Sequence, residues 1–167
     1  VQIDWLSSDN FTDQAAAVQR VGSARLNADV DGTDMSTIAL DAYWRAANAV
    51  ALTDPRCGMT WWALAGIGRT ESRHGTYQGS TVGTDGLVSA PILGPMLDGS
   101  NGFAVVADSD RGALDGTATT DRAVGPMQFL PSTWRTGGRD GSGDGRADPQ
   151  NLYDAAVGAG LYLCRAG

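Results

Sequence analysis

A mainly helical domain is what this sequence predicts, on three observations. The segments Asp34 to Leu52, Thr60 to Gly75 and Leu152 to Arg165 each carry apolar residues at helical spacing. Between the second and third lies a long stretch dense in Gly and Asp, whose short apolar runs can serve only as brief strands or loop anchors. The length, 167 residues, suits one compact unit, since single domains commonly run to about 100–200 residues.

The first helix puts Met35, Ile38, Ala39, Ala42, Tyr43, Ala46 and Val50 on one face, and Thr53-Asp54-Pro55 stops it. Everything before it, residues 1–32, reads as an N-terminal segment or tether in which Thr12 to Val30 could form a loose helix. Residues 33–167 are the domain proper. The second helix has Thr60 as N-cap and Gly75 as the expected C′ residue, with Arg73 and His74 in its last turn. At about 100° per residue, Trp61, Leu64, Ala65, Gly68 and Ser72 face inward, and Arg69 and Arg73 turn away. Glu71, the only glutamate of the chain, falls between the directions of Leu64 and Ile67. A carboxyl group held against such a surface is poorly solvated when ionised, so Glu71 is expected to keep a proton it can donate near neutral pH. The alternative is a boundary glutamate that simply reaches water.

From Gly79 to Gly125 the short runs Pro91 to Gly99 and Phe103 to Ala107 stand out, with turn signals at Asp98-Gly99 and Asp115-Gly116. A structureless loop this long is rare in a compact domain unless it is functional, so a partly ordered insertion lining a cleft is expected. A variable surface loop is the alternative. Ala123 to Trp134 then reads as a loop-to-helix join. In it Gly125 permits close backbone approach, Gln128 offers a donor and an acceptor, and Ser132 could cap a short helix holding Trp134.

Asp140 to Asn151 has the layout of a twelve-position calcium loop. Oxygen ligands fall at positions 1, 3, 5 and 9 (Asp140, Ser142, Asp144, Asp148), the turn glycine at 6 (Gly145), and the Arg146 carbonyl at 7. The twelfth position, usually a bidentate Glu, is Asn151. Weak or selective structural Ca²⁺ binding is expected, against a Gly/Asp turn without metal. The last helix carries Leu152, Ala155, Ala156, Ala159, Tyr162 and Leu163 at helical spacing, and Gly158 and Gly160 allow it to pack closely.

All 12 basic residues are Arg, 18 of the 19 acidic residues are Asp, and the net charge is −7. This argues against nucleic acid or anionic lipid as partner and leaves polysaccharides and neutral ligands open. No apolar run approaches the ~20 residues of a membrane span. No signal peptide is present at Val1, which fits either a cytosolic protein or a mature fragment whose targeting segment was removed. Cys57 and Cys164 either bridge, tying the last helix to the core in an oxidising compartment, or remain as two buried thiols.

Several of these stretches occur in the same order in the lytic murein transglycosylases of the MltB-like group, within the lysozyme-like superfamily. Glu71-Ser72 at a helix end resembles the catalytic motif of that family, and Gly125-Pro126-Met127-Gln128-Phe129 resembles its second motif. Tyr162 in Ala159 to Leu163 is similar to the third, and the EF-hand-like loop is a mark of the branch. The resemblance spans about Asp34 to Arg165. It implies an α-rich α+β, lysozyme-like fold, a monomer acting outside the cytoplasm on peptidoglycan glycan strands, and no cofactor for catalysis. Glu71 would act as acid and then base, Ser72 and Gln128 would position substrate or Glu71, and Tyr162 would border the site. Asp140, Ser142, Asp144, Arg146, Asp148 and Asn151 would hold Ca²⁺.

Two other functions are open to this sequence. A lysozyme-type hydrolase would take a second carboxylate from Asp108, Asp110, Asp115 or Asp121. A non-catalytic glycan-binding module would use Trp61, Trp62 and Trp134 as stacking faces.

Overall fold

A computed structural model describes residue 30 and residues 32–166; the loose helix anticipated within Thr12 to Val30 lies outside them. Among the described residues there are four α-helices: α1 (Thr37–Thr53), α2 (Trp61–Ser72), α3 (Pro131–Gly137) and α4 (Leu152–Ala166). Helix α1 begins at Thr37 because Ser36 stays extended and its hydroxyl accepts the Ala39 amide at 3.2 Å. It ends at Asp54, whose φ of −139° leaves the helical region ahead of Pro55. Thr60 caps α2 as expected, accepting the Ala63 amide.

Helix α1 packs against both α2 and α4, and α4 also touches α2 and α3. Ile38, Ala39, Ala42, Tyr43, Ala46 and Val50 are buried on α1, opposite Leu64 on α2 and Leu152, Ala155 and Ala156 on α4. Burying Leu64, Leu152 or Val50 stabilises the fold by about 1.5–3 kcal/mol each. The close approach depends on glycine at the crossings. A Cβ on Gly160 would stand 2.7 Å from Val50 Cγ2, and one on Gly68 would overlap the Tyr43 hydroxyl. At the far end Cys57 and Cys164 form a disulfide across 107 residues of chain. Closing a loop of that length typically contributes about 2–5 kcal/mol, mostly by restricting the unfolded chain.

The expected β component is much reduced. Among the described residues it comprises isolated antiparallel bridges such as Leu93–Val124, Asp98–Val105 and Ala107–Thr120, with no extended strand. The cause is the density of turns: Gly86, Gly99, Gly102, Gly112 and Gly116 all adopt positive φ, so no run stays extended long enough to build a ladder. The insertion is nonetheless ordered by backbone hydrogen bonds, Gly94 to the Ala123 carbonyl, Val106 to Leu97 and Asp121 to Val106, all at 2.8–2.9 Å. Two further expectations need correction. Helix α3 starts at Pro131 with Leu130 as N-cap, so Ser132 lies inside it and caps nothing. Trp134 is buried against Phe129 at a ring-centroid distance of 5.1 Å, which removes it as a stacking face for a ligand. None of the helices among the described residues is long and apolar enough to cross a membrane.

Candidate active site

Helix α2 stops at Ser72 with Arg73 as its C-cap, one residue earlier than Gly75 as C′ residue implies. Arg73, His74 and Gly75 follow with φ of 51°, 59° and 85°, three left-handed residues in succession. Non-glycine residues resist that region by about 1–2 kcal/mol each, so the surroundings must hold them. The Arg73 and His74 amides reach back to the Arg69 and Gly68 carbonyls at 3.0 and 2.9 Å. The imidazole of His74, 3% exposed, meets the Tyr43 hydroxyl at 3.0 Å through Nδ1, and its Nε2 lies 3.6 Å from Asp34 Oδ1. Asp34 in turn accepts Arg69 Nε at 3.0 and 3.1 Å.

Ser72 joins this turn to the second motif. Its hydroxyl, 1% exposed, donates to the Pro126 carbonyl at 2.7 Å and accepts the Gly75 amide at 2.8 Å. Val124 and Phe129 exchange backbone hydrogen bonds at 2.8 and 3.0 Å, closing Gly125 to Gln128 into a tight loop. Gly125 has φ of 78° and donates to the Ile92 carbonyl at 2.8 Å, and a Cβ there would run into the Pro149 carbonyl. Gln128, at φ 52°, is braced by its own Nε2 donating to the Gly125 carbonyl at 2.9 Å.

Both motifs open onto one cleft of about 650 Å³, lined by Glu71, Tyr77, Gln78, Pro91, Leu93, Gly94, Pro95, Arg122 and Gln128. The insertion thus supplies one wall and the end of α2 the other. Glu71 is exposed, which corrects the expectation of a carboxyl group pressed against apolar side chains: the inward face of α2 is taken by Leu64, Ala65, Gly68 and Ser72. Any desolvation of Glu71 has to come from a ligand filling the cleft. Ser72 is too deeply buried to touch a ligand in the cleft; its hydroxyl ties the Pro126 loop to the turn after α2. Tyr162 is 47% exposed on α4 and is not among the residues lining the cleft. Arg122, which does line it, went unnoticed in the sequence because one Arg in a Gly/Asp-rich stretch carries no periodic signal.

The four aspartates offered as a second carboxylate, Asp108, Asp110, Asp115 and Asp121, hold other groups. Asp115 and Asp121 are buried, their oxygens holding the amides of Thr117 and Arg122, and the amide and hydroxyl of Ser109. Asp108 and Asp110 accept the amides of residues three and four positions on. Asp108, Asp110 and Asp121 bring carboxylate oxygens within 4.8 Å of one another, a group that could hold a metal ion.

In the Asp140 loop, Asp140 accepts the Gly145 and Gly143 amides at 2.8 and 2.7 Å, with the Gly145 bond foremost in holding its carboxyl below the usual range. Asp140, Asp144 and Asp148, with the Ser142 hydroxyl and the Arg146 carbonyl, are hard oxygen donors of the kind that suits Ca²⁺. Asn151 fits less well. Its amide donates to the Asp85 carbonyl and accepts the Tyr153 amide, both at 2.9 Å, in a buried position. The residue overlooked is Asp154, three positions beyond the loop. Fully buried, it takes the Gly141, Ser142 and Asp148 amides at 2.8–2.9 Å and folds the loop onto α4.

Residues 103–167 match the family described as a transglycosylase SLT domain. The matched segment contains Gln128, the Asp140 loop and α4, and stops short of Glu71 on the N-terminal side. No curated protein matches the chain. No solved structure does either.

Burial pushes the His74 imidazole below its ordinary pKa, with Asp34 opposing in part. The fold therefore favours the neutral ring. Stability is fully present above the unfolded value of about 6.5 and is lost as pH falls below it. Thermal denaturation should show a lower midpoint at pH 5 than at pH 7, and His74→Phe should shrink that difference. The carboxylates held low, Asp34, Asp98 and Asp140, titrate below this window. An unchanged or higher midpoint at pH 5 contradicts the assignment.

Proposed function

We propose that this protein is a peptidoglycan lytic transglycosylase, cleaving the β-1,4 bond between MurNAc and GlcNAc with formation of a 1,6-anhydroMurNAc end. The observation that carries this reading is that Glu71 is the one carboxylate among the residues lining the cleft, with Gln128 beside it on a braced loop. The transglycosylase SLT match over residues 103–167 supports it independently. Glu71 protonates the glycosidic oxygen as an oxocarbenium-like centre develops at the MurNAc anomeric carbon. The resulting carboxylate then takes the proton of the MurNAc 6-hydroxyl, whose oxygen closes on that carbon. No water is consumed and no second carboxylate is needed, unlike in the usual two-carboxylate hydrolases.

The exposed position of Glu71 gives the substrate a part in the chemistry. A glycan lying along Tyr77, Pro91, Leu93 and Pro95 excludes water from the carboxyl group as it binds. The disulfide supports action outside the cytoplasm, where such bonds persist and where peptidoglycan lies. Release of soluble fragments from purified sacculi should fall at least about a thousandfold in Glu71→Gln, with the thermal midpoint nearly unchanged, since an exposed Glu→Gln change removes no core contact. Retained activity refutes the reading.

For the Asp140 loop the same reading includes a structural Ca²⁺ held by Asp140, Ser142, Asp144, the Arg146 carbonyl and Asp148. Calorimetry should detect binding at millimolar Ca²⁺ or below, abolished by Asp140→Asn. Abolition by Asp110→Asn instead assigns the ion to the Asp108, Asp110 and Asp121 group, and the absence of any binding heat removes the ion from the account.

A further inference from the structure

Arg122 has no part in the chemistry above, yet it lines the cleft that holds Glu71 and Gln128. Its guanidinium is anchored on one side only, Nη2 and Nε donating to the Asp115 carbonyl at 2.8 and 3.2 Å. Asp115 is itself fixed, 1% exposed with both carboxylate oxygens holding backbone amides. A main-chain carbonyl carries no formal charge, so the positive charge of Arg122 is not cancelled. Among the described residues no carboxylate stands within 4.0 Å of it. The outer edge, Nη1 with the second Nη2 hydrogen, has no partner there either. That edge is the planar fork that pairs bidentately with a carboxylate. A fork already held in place loses little conformational freedom when it binds.

Apart from Glu71, the remainder of the wall is uncharged. Tyr77, Pro91, Leu93 and Pro95 offer ring and apolar surface and Gln128 an amide, which suits a neutral sugar ring. One cation among them marks where an anionic substituent would lie. In a glycan of alternating GlcNAc and MurNAc, only the muramic ring carries such a group, on its lactyl ether arm, as the free lactyl carboxylate or as a carboxylate of the attached peptide. The geometry points to Arg122 as the specificity residue that recognises a carboxylate of the muramyl arm and so sets which ring of the strand lies beside Glu71. This rests on the reading of the cleft as a peptidoglycan site.

The test is binding to the full chain carrying Glu71→Gln, followed by calorimetry, so that turnover is not needed. The ligands are glycan strands with stem peptides, the same strands stripped by an amidase to bare lactyl carboxylates, and a chitooligosaccharide of equal length with neither. Adding Arg122→Gln should weaken binding of the carboxylate-bearing strands by about tenfold to a hundredfold and leave the chitooligosaccharide within about twofold. Loss on stripped strands identifies the lactyl carboxylate, and loss confined to intact strands identifies a peptide carboxylate. Arg122→Lys keeps the charge without the fork and should give a smaller loss of the same pattern; it carries the test if the Gln variant does not fold. Equal weakening of all three ligands, or of none, overturns the inference. If Glu71→Gln with Arg122 intact binds no glycan at all, the functional reading fails and the inference falls with it.

Discussion

The Ser72 hydroxyl is the joint on which the site depends. It sits at the end of α2, where the helix has exhausted its own hydrogen bonds, and it satisfies one group on each side of the gap: the Gly75 amide in the turn and the Pro126 carbonyl in the loop. Both are buried, so leaving either unpaired would cost about 1–3 kcal/mol. That penalty is what holds Glu71, one residue before, in fixed relation to Gln128, two residues after Pro126. No covalent link or shared element does so, because the two motifs are 54 residues apart and belong to different parts of the fold.

Behind that joint the three left-handed residues reverse the chain so that Tyr77 and Gln78 also line the cleft, and their strain is met by the helix core. Tyr43, wholly buried on α1, reaches the His74 ring and lies against Gly68, which has no side chain to displace it. The packing of α1 on α2 thus does two things at once. It buries apolar surface, which stabilises the fold, and it fixes the direction in which α2 ends, which places Glu71. Opposite, the insertion is held by reciprocal bonds between Ile92 and the Gln150 side chain at 3.0 and 3.2 Å, so the second wall of the cleft is tied to the base of α4.

What the sequence made legible follows from how physical signals are written in it. The face of α1 was readable residue by residue, because periodic burial at 3.6 residues per turn leaves a periodic pattern, and Ile38, Ala42, Tyr43, Ala46 and Val50 are all buried. Thr60 was readable because capping is local chemistry. The left-handed geometry of Arg73 and His74 was not, since part of what holds it lies in Tyr43 and Asp34, far off in sequence. Glu71 stands at the edge of the apolar face on a helical wheel, but its solvation depends on what stands across the cleft, and no helical wheel contains that. Asp154 and Arg122 were missed for a related reason: each acts by holding or facing backbone and space contributed by other segments, and neither belongs to a repeating pattern.

In the proposed reaction one carboxylate performs both proton transfers, with the sugar's own 6-hydroxyl as nucleophile. Mass analysis of the fragments released from purified sacculi by the unaltered protein tests this most directly. The proposed reaction gives muramyl ends lighter by one water than free reducing ends, with none of the oxygen label when the digestion is run in heavy-oxygen water. Reducing ends that carry the label would mean that water is the nucleophile, and would contradict it.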